Sequence, residues 1–472
     1  MMDTAKAKVE GGSGGGGGGA ETAAVPKVGV AAPEVDEVAF AAALEMLASD
    51  DDAVLVKGLA YFRNLLCRKE RPPIKRVRET GMLPRVAALL KDTGNSMKLR
   101  LEAAWLLTNV ASGDASDTLD VVESRAVQVA LACIAPPAAP AEGNEHGDIY
   151  RCGGSGELCA QCAWLLGNVA GEVEGDTRNR DVVLQAGAVP AIVRLLQAWT
   201  PGKDTAMVSV EWLRTTTWAA LNLVRGTPPP DPAAVCSLLP SFARLVTTST
   251  TEVATDAAWG IAFLAKLPGM AAEMRDATTT LDGDEVPLME ALVVIMRRRA
   301  DTSSNVVPLL RCLVAMVSDG NPASSDAVLD AGAVPALMGM LRSTKKGVHR
   351  WIWWTLSNIA ASTPEQVGKL LECGIARRAL DALEREDADV RMEVLFTVGN
   401  VLLKPGKAVC DFALELLAGG LHTLLGKQSE DGCRSLAAEV ATCLLRAMGE
   451  WVSEVEGVRV VLAALPAVST GT

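Results

Sequence analysis

With 472 residues, 49% apolar and only 4% aromatic side chains, the chain is long enough for several ordinary cores or one extended repeat array. Its formal net charge of -12 disfavours nucleic acid and anionic membrane as partners and suits a basic one. No apolar run reaches transmembrane length and no charged-then-apolar leader opens the sequence. Eleven scattered Cys read as reduced thiols of a cytosolic or nuclear protein.

Residues 1–37, with six consecutive Gly at Gly14–Gly19, cannot bury a core and read as a disordered tail. From Val38 to about residue 462 a helical pattern runs almost without a break, and residues 463–472 form a short C-terminal tail. Within that span the chain repeats itself. Ala186-Gly-Ala-Val-Pro-Ala191 recurs unchanged as Ala331-Gly-Ala-Val-Pro-Ala336, and Thr80–Arg85 and Cys373–Arg378 are looser copies. Each places a Gly that can end one helix in the left-handed conformation just before a residue that can open the next. Gly332 and Gly374 are 42 residues apart, Asn358 and Asn400 also 42, and Trp218 and Trp259 41. That period lies in the armadillo and HEAT range, with each unit a short helix, a Gly-Pro corner, a second helix and a long third one. The sequence therefore predicts an all-α solenoid of about nine three-helix repeats that bury their apolar faces only by stacking. Third helices are expected at Leu55–Cys67, Leu99–Ser112, Leu158–Gly171, Glu211–Arg225, Glu252–Leu264, Val306–Val317, His349–Ala361, Val390–Leu403 and Arg434–Met448. Pro136–Gly156 and Thr200–Val208 read as inserted surface loops.

The third helices carry the functional signal. Trp and Asn stand four residues apart at Trp105/Asn109, Trp164/Asn168, Trp218/Asn222 and Trp354/Asn358. This spacing puts an indole and a carboxamide on one helical face. In a stacked array they make two ladders along one surface. Asn side chains can hydrogen-bond the backbone of an extended peptide whatever its sequence, and the slots between indoles accept a Lys or Arg stem. Acidic groups at the slot ends would complete recognition of a basic segment. Glu172, four residues after Asn168, is the first candidate, followed by Asp256, Glu252 and Glu393.

These segments resemble importin-α, the armadillo-repeat adaptor family that binds nuclear localisation signals, over roughly residues 38–450. The resemblance rests on Arg63–Ile74, Ala103–Gly113, Gln161–Gly171 and Leu213–Arg225. It implies a right-handed superhelical armadillo solenoid with no enzymatic activity and no cofactor, shuttling between cytoplasm and nucleus. Its major signal-binding site falls on Trp105, Asn109, Trp164, Asn168, Trp218 and Asn222, supported by Ser112, Gly113, Thr118 and Gln161, with Glu172 where the family has its key Asp. The minor site falls on Arg311, Trp354, Asn358, Glu393 and Asn400. Arg225, which matches the family's basic residue between the two sites, and Glu252, Asp256 and Trp259 are counted with the minor site.

Departures from the family pattern cluster in the minor site. Ala315 stands where Asn is expected, Phe396 where Trp is expected, and Trp351 where an acid is usual. Trp259 is kept, but Phe263 replaces a Tyr and Lys266 occupies an acidic position. The major site therefore reads as intact and the minor site as eroded. Residues 1–37 contain only Lys6, Lys8 and Lys27 as basic residues, so no importin-β-binding segment is recognisable there and recruitment of importin-β is left open. The alternative reading is an armadillo scaffold for protein assembly unrelated to import, which needs no Trp/Asn ladder. His146, Cys152, Cys159 and Cys162 offer at most half a zinc site, so no metal is expected.

Overall fold

The repeated corner folds as its residues dictate. Gly187 and Gly332 sit at φ +85° and +75°, where a Cβ is penalised. Pro335 falls in the first turn of the Ala333–Met340 helix, where its missing N–H leaves no intrahelical bond unmade. The computed structural model describes residues 35–67, 72–134, 156–171, 175–198, 210–249, 251–299, 306–342, 346–428 and 431–449. The expected loops and the tails fall almost wholly outside these residues, and so does Glu172.

The chain forms two compact units that divide between Leu267 and Pro268. In the first, the third helices are Asp52–Leu66, Met97–Val110, Gly156–Ala170, Val210–Val224 and Thr251–Leu264, each packed on the next. In the second they are Val307–Val317, Lys346–Ala361, Ala388–Leu402 and Asp431–Gly449, again packed in sequence order. All nine lie within three residues of the spans expected from sequence. Each unit is an all-α armadillo-repeat solenoid. Its core is a continuous seam of small and branched side chains, such as Leu106, Leu107, Leu165 and Val169 in the first unit and Leu356, Val394 and Val398 in the second. Fully burying each Leu is worth about 1.5–3 kcal/mol, so the stacking of neighbours supplies the stability that a single repeat lacks.

One element departs from the all-helical pattern. In the sixth repeat, Thr278–Leu281 pairs antiparallel with Asp284–Pro287, in the register Leu281↔Asp284. Asp282 and Gly283 make the two-residue turn with φ +55° and +102°. Asp-Gly is a hairpin-turn signal, but Asp284, Glu285 and Pro287 are poor strand formers, and the helical periodicity on either side masked it.

Candidate functional site

The Trp and Asn of the second, third and fourth repeats lie on third helices that pack directly against each other, all in the first unit. Trp105 and Trp164 meet edge to face, with ring centroids 5.5 Å apart and an interplanar angle of 66°. Trp164 is 38% exposed, and Trp105 and Trp218 are half-buried. Gly167 makes room for Trp218: a Cβ there would lie 2.6 Å from Trp218 Cζ3. The glycine of the third repeat therefore seats the indole of the fourth.

The Asn ladder has a structural task that the sequence did not reveal. Asn168 Nδ2 donates to Thr108 O at 2.9 Å, and Asn222 Nδ2 donates to Gly167 O at 2.9 Å. In the second unit, Asn400 Nδ2 donates to Ser357 O at 3.0 Å. Each acceptor immediately precedes the residue aligned with that Asn in the previous repeat, so in these three repeats one carboxamide N–H ties the third helix to its neighbour. In the second repeat, Asn109 Nδ2 reaches Cys67 Sγ at 3.4 Å instead. Asn109 and Asn168 are half-buried, and among the described residues their Oδ1 atoms accept no hydrogen bond. Asn222 differs. It is 0% exposed, and its Oδ1 is buried without a partner.

The supporting positions divide in the same way. Ser112 is exposed and its Oγ donates to Asn109 O at 2.7 Å. Gly113 gives space to Asp117, whose carboxylate closes a capping box with Asp114. Burial, the largest influence, pushes the Asp117 carboxyl up. Thr118 and Gln161 are buried. Thr118 Oγ1 donates to Asp114 O at 3.0 Å, and Gln161 Nε2 donates to Thr108 Oγ1 at 2.8 Å. Both brace the helices that carry the ladder. Sequence reasoning also missed the ion pair from Arg63 Nε to Glu102 Oε2 at 2.6 Å, which joins the third helices of the first two repeats.

At the end of the first unit, Arg225 O accepts from Arg180 Nη1 at 2.9 Å. Glu252 is exposed and pairs with Arg214 Nη1 at 3.0 Å. Burial first, and Glu252 second, push the Asp256 carboxyl up to about 6 against the opposing pull of Arg214. Trp259 leans on Phe263, with centroids 6.0 Å apart.

The second unit is built differently. Trp351 stacks on Trp354 at 5.2 Å and 14°, and the Arg311 guanidinium lies over the Trp351 ring, 5.1 Å from its centroid. A residue of this chain thus covers an indole with a cation, the contact a ligand cation would otherwise make. Trp353 is fully buried core. Asn358 Nδ2 donates within its own helix, to Trp354 O at 2.8 Å. Phe396 is exposed, while Glu393 and Ala315 are half-buried.

Comparison with known proteins agrees with this picture. Residues 321–361 match the Armadillo/beta-catenin-like repeat. The chain is 30% identical over 320 residues to importin subunit alpha-1b of Oryza sativa subsp. japonica, covering 66% of this chain and 52% of that one. It is 28% identical over 349 residues to importin subunit alpha-9 of Arabidopsis thaliana, covering 71% and 59%. The chain spans about half the length of the curated relatives it matches. An engineered protein of known structure superposes with a TM-score of 0.68 at 21% identity over 91% of this chain and 95% of that one, a likeness of fold. By these matches the chain is similar to importin-α subunits, and its fold is that of an armadillo-repeat solenoid.

Proposed function

We propose that the Trp/Asn surface of the first unit binds an extended basic peptide, a nuclear localisation signal, and that the protein is a nuclear import adaptor moving between cytoplasm and nucleus. The observation that carries this reading is the pair of half-buried carboxamides at Asn109 and Asn168 beside an exposed indole at Trp164. Each carboxamide spends one N–H on the protein and keeps Oδ1 and a second N–H for a peptide backbone. A Lys stem sandwiched between Trp105 and Trp164 requires the centroids to separate from 5.5 Å to about 8 Å, two contact distances of about 4 Å. Trp164 is 38% exposed, and a stem laid along its exposed surface needs no such separation. Glu172, and then Asp256 and Glu252, supply the counter-charges.

The minor site is eroded because it is filled from within. Trp351 replaces a carboxylate with an indole that covers Trp354, and Arg311 adds a positive charge where a second basic cluster would arrive. A single cluster therefore binds well and a second adds little.

The test is calorimetric titration with a Lys/Arg-rich peptide and its Glu-substituted counterpart, using the intact chain and Trp164→Ala/Asn168→Ala. Saturable binding of the basic peptide alone, lost in the variant, supports the reading. Equal binding of both peptides, or binding that survives the double substitution, sinks it. A pull-down with importin-β, with and without residues 1–80, decides which carrier the adaptor uses.

A further inference from the structure

The eighth and ninth repeats hold a cleft that the Trp/Asn surface does not use. It has a volume of about 320 Å³ and lies between two first helices, Pro364–Glu372 and Lys407–Ala418. Leu371, Ile375, Ala376 and Phe412 make an apolar floor, with Ile375 and Ala376 each 1% exposed and Phe412 5%. Gly368 keeps one wall open, because a Cβ there would meet nothing within 4 Å. Three exposed carboxylates stand at the rim. Glu372 ends the first helix, and Asp411 and Glu415, four residues apart, share one face of the second. Among the described residues none of the three makes an ion pair or a side-chain hydrogen bond. Other acids of this unit do: Asp330 Oδ1 holds Lys369 Nζ at 2.7 Å, and Asp389 Oδ2 lies 3.7 Å from Arg350 Nη1.

We propose that this cleft is a docking site for a segment of a partner protein, from which it takes an Arg side chain and an adjoining apolar residue. Charge selects the occupant. Unpaired carboxylates on both walls attract a cation and repel phosphate-bearing partners. The carboxylates do not converge on a point: among the described residues no group of three or more His, Cys, Asp or Glu could hold a metal ion. The charge therefore suits a broad organic cation, and the apolar floor suits the stem that carries it. A guanidinium is favoured over an ammonium because its planar fork can bond carboxylates on two walls at once. The volume falls at the low end of ligand clefts, about 300–1,000 Å³, so side chains enter rather than a whole helix. The site is made of first helices and the corner that follows one of them, whereas the Trp/Asn surface is made of third helices. The two can be occupied and tested independently.

The test titrates the intact chain, labelled at Ile and Ala methyl groups, with acetyl-Leu-Arg-amide and with its citrulline analogue, which keeps the shape and loses the charge. Methyl NMR should show Ile375, Ala376 and Ala408 shifting along one saturable curve, with the citrulline analogue at least about tenfold weaker. Asp411→Asn/Glu415→Gln removes charge and Gly368→Leu fills the cleft, and each should weaken binding at least about tenfold. Trp164→Ala/Asn168→Ala should bind this probe as the unaltered chain does, so failure here and failure of the peptide reading are distinguishable. Circular dichroism confirms that each variant is folded. No saturable shift at Ile375, equal binding of the citrulline analogue, or full binding by the folded cleft variants would overturn the proposal. So would an equal response to spermidine, a cation with no apolar side chain for the floor. Shifts that follow protein concentration alone would make a second copy of the chain the occupant and overturn it as well.

Discussion

Gly167→Ala tests how the third repeat seats the indole of the fourth. The new Cβ would lie 2.6 Å from Trp218 Cζ3 and 3.0 Å from both Trp218 Cε3 and Ala219 Cβ. The indole must move, and overpacking of this kind costs about 1–3 kcal/mol. Replacing Gly by Ala inside a helix returns about 1 kcal/mol. The hydrogen bond from Asn222 to Gly167 O spans the same contact and contributes a further ~1 kcal/mol if the helices part. The net expectation is a loss of about 0–2 kcal/mol of stability, or about 1–3 kcal/mol if that bond is also broken, and a displaced Trp218. Gly368→Ala is the control, because nothing lies within 4 Å of a Cβ there and the same helical gain should appear undiminished. Urea denaturation followed by circular dichroism and Trp fluorescence measures both. A Gly167→Ala chain as stabilised as Gly368→Ala, with an unchanged fluorescence spectrum, would refute the reasoning.

Three further outcomes follow from the same geometry. Asn168→Ala removes the bond to Thr108 O as well as the proposed peptide contact, so it should lower stability by about 1 kcal/mol and weaken peptide binding together, whereas Ser112→Ala should leave stability within about 0.5 kcal/mol; urea midpoints and titration measure this. Asp256, at about 6 when folded and about 3.9 when unfolded, stays protonated longer in the fold. The stability of that protonated form is therefore lost as pH rises from about 4 through 6, and Asp256→Asn should raise the urea midpoint at pH 7.5 but not at pH 4, by at most about 3 kcal/mol before solvent screening is discounted. In the minor site, a two-cluster peptide should bind less than about tenfold tighter than one cluster, or about 1.4 kcal/mol, and Trp351→Glu should lift that gain above tenfold; an unaltered ratio in Trp351→Glu would show that the indole stack is not what closes the site.

The helices were legible because two local signals agreed: a Gly before the second helix, which sits at positive φ, and a Trp/Asn pair inside the third. Spacing gives the face of a helix but not its depth. Asn109 and Asn168 stay half-buried while Asn222, with the same offset from its Trp, sinks to 0% exposed. The bonds from Asn to the preceding repeat were hidden for the same reason, since they depend on how closely successive helices approach. The replacement of an acid by Trp351 was visible in the sequence, but its stack with Trp354 and the cover from Arg311 depend on rotamers that no pattern encodes. Cys159 and Cys162 drew attention as half of a metal site. Both lie buried on the Gly156–Ala170 helix, a depth that the spacing of two Cys does not give.

The most direct measurement is an NMR titration of indole N–H resonances, assigned by single Trp→Phe substitutions, with a short Lys-rich peptide. The account predicts that Trp105, Trp164 and Trp218 shift together with one saturation curve, while Trp351, Trp353 and Trp354 stay in place. Shifts confined to Trp351 and Trp354, or no shift among the first three, would contradict it.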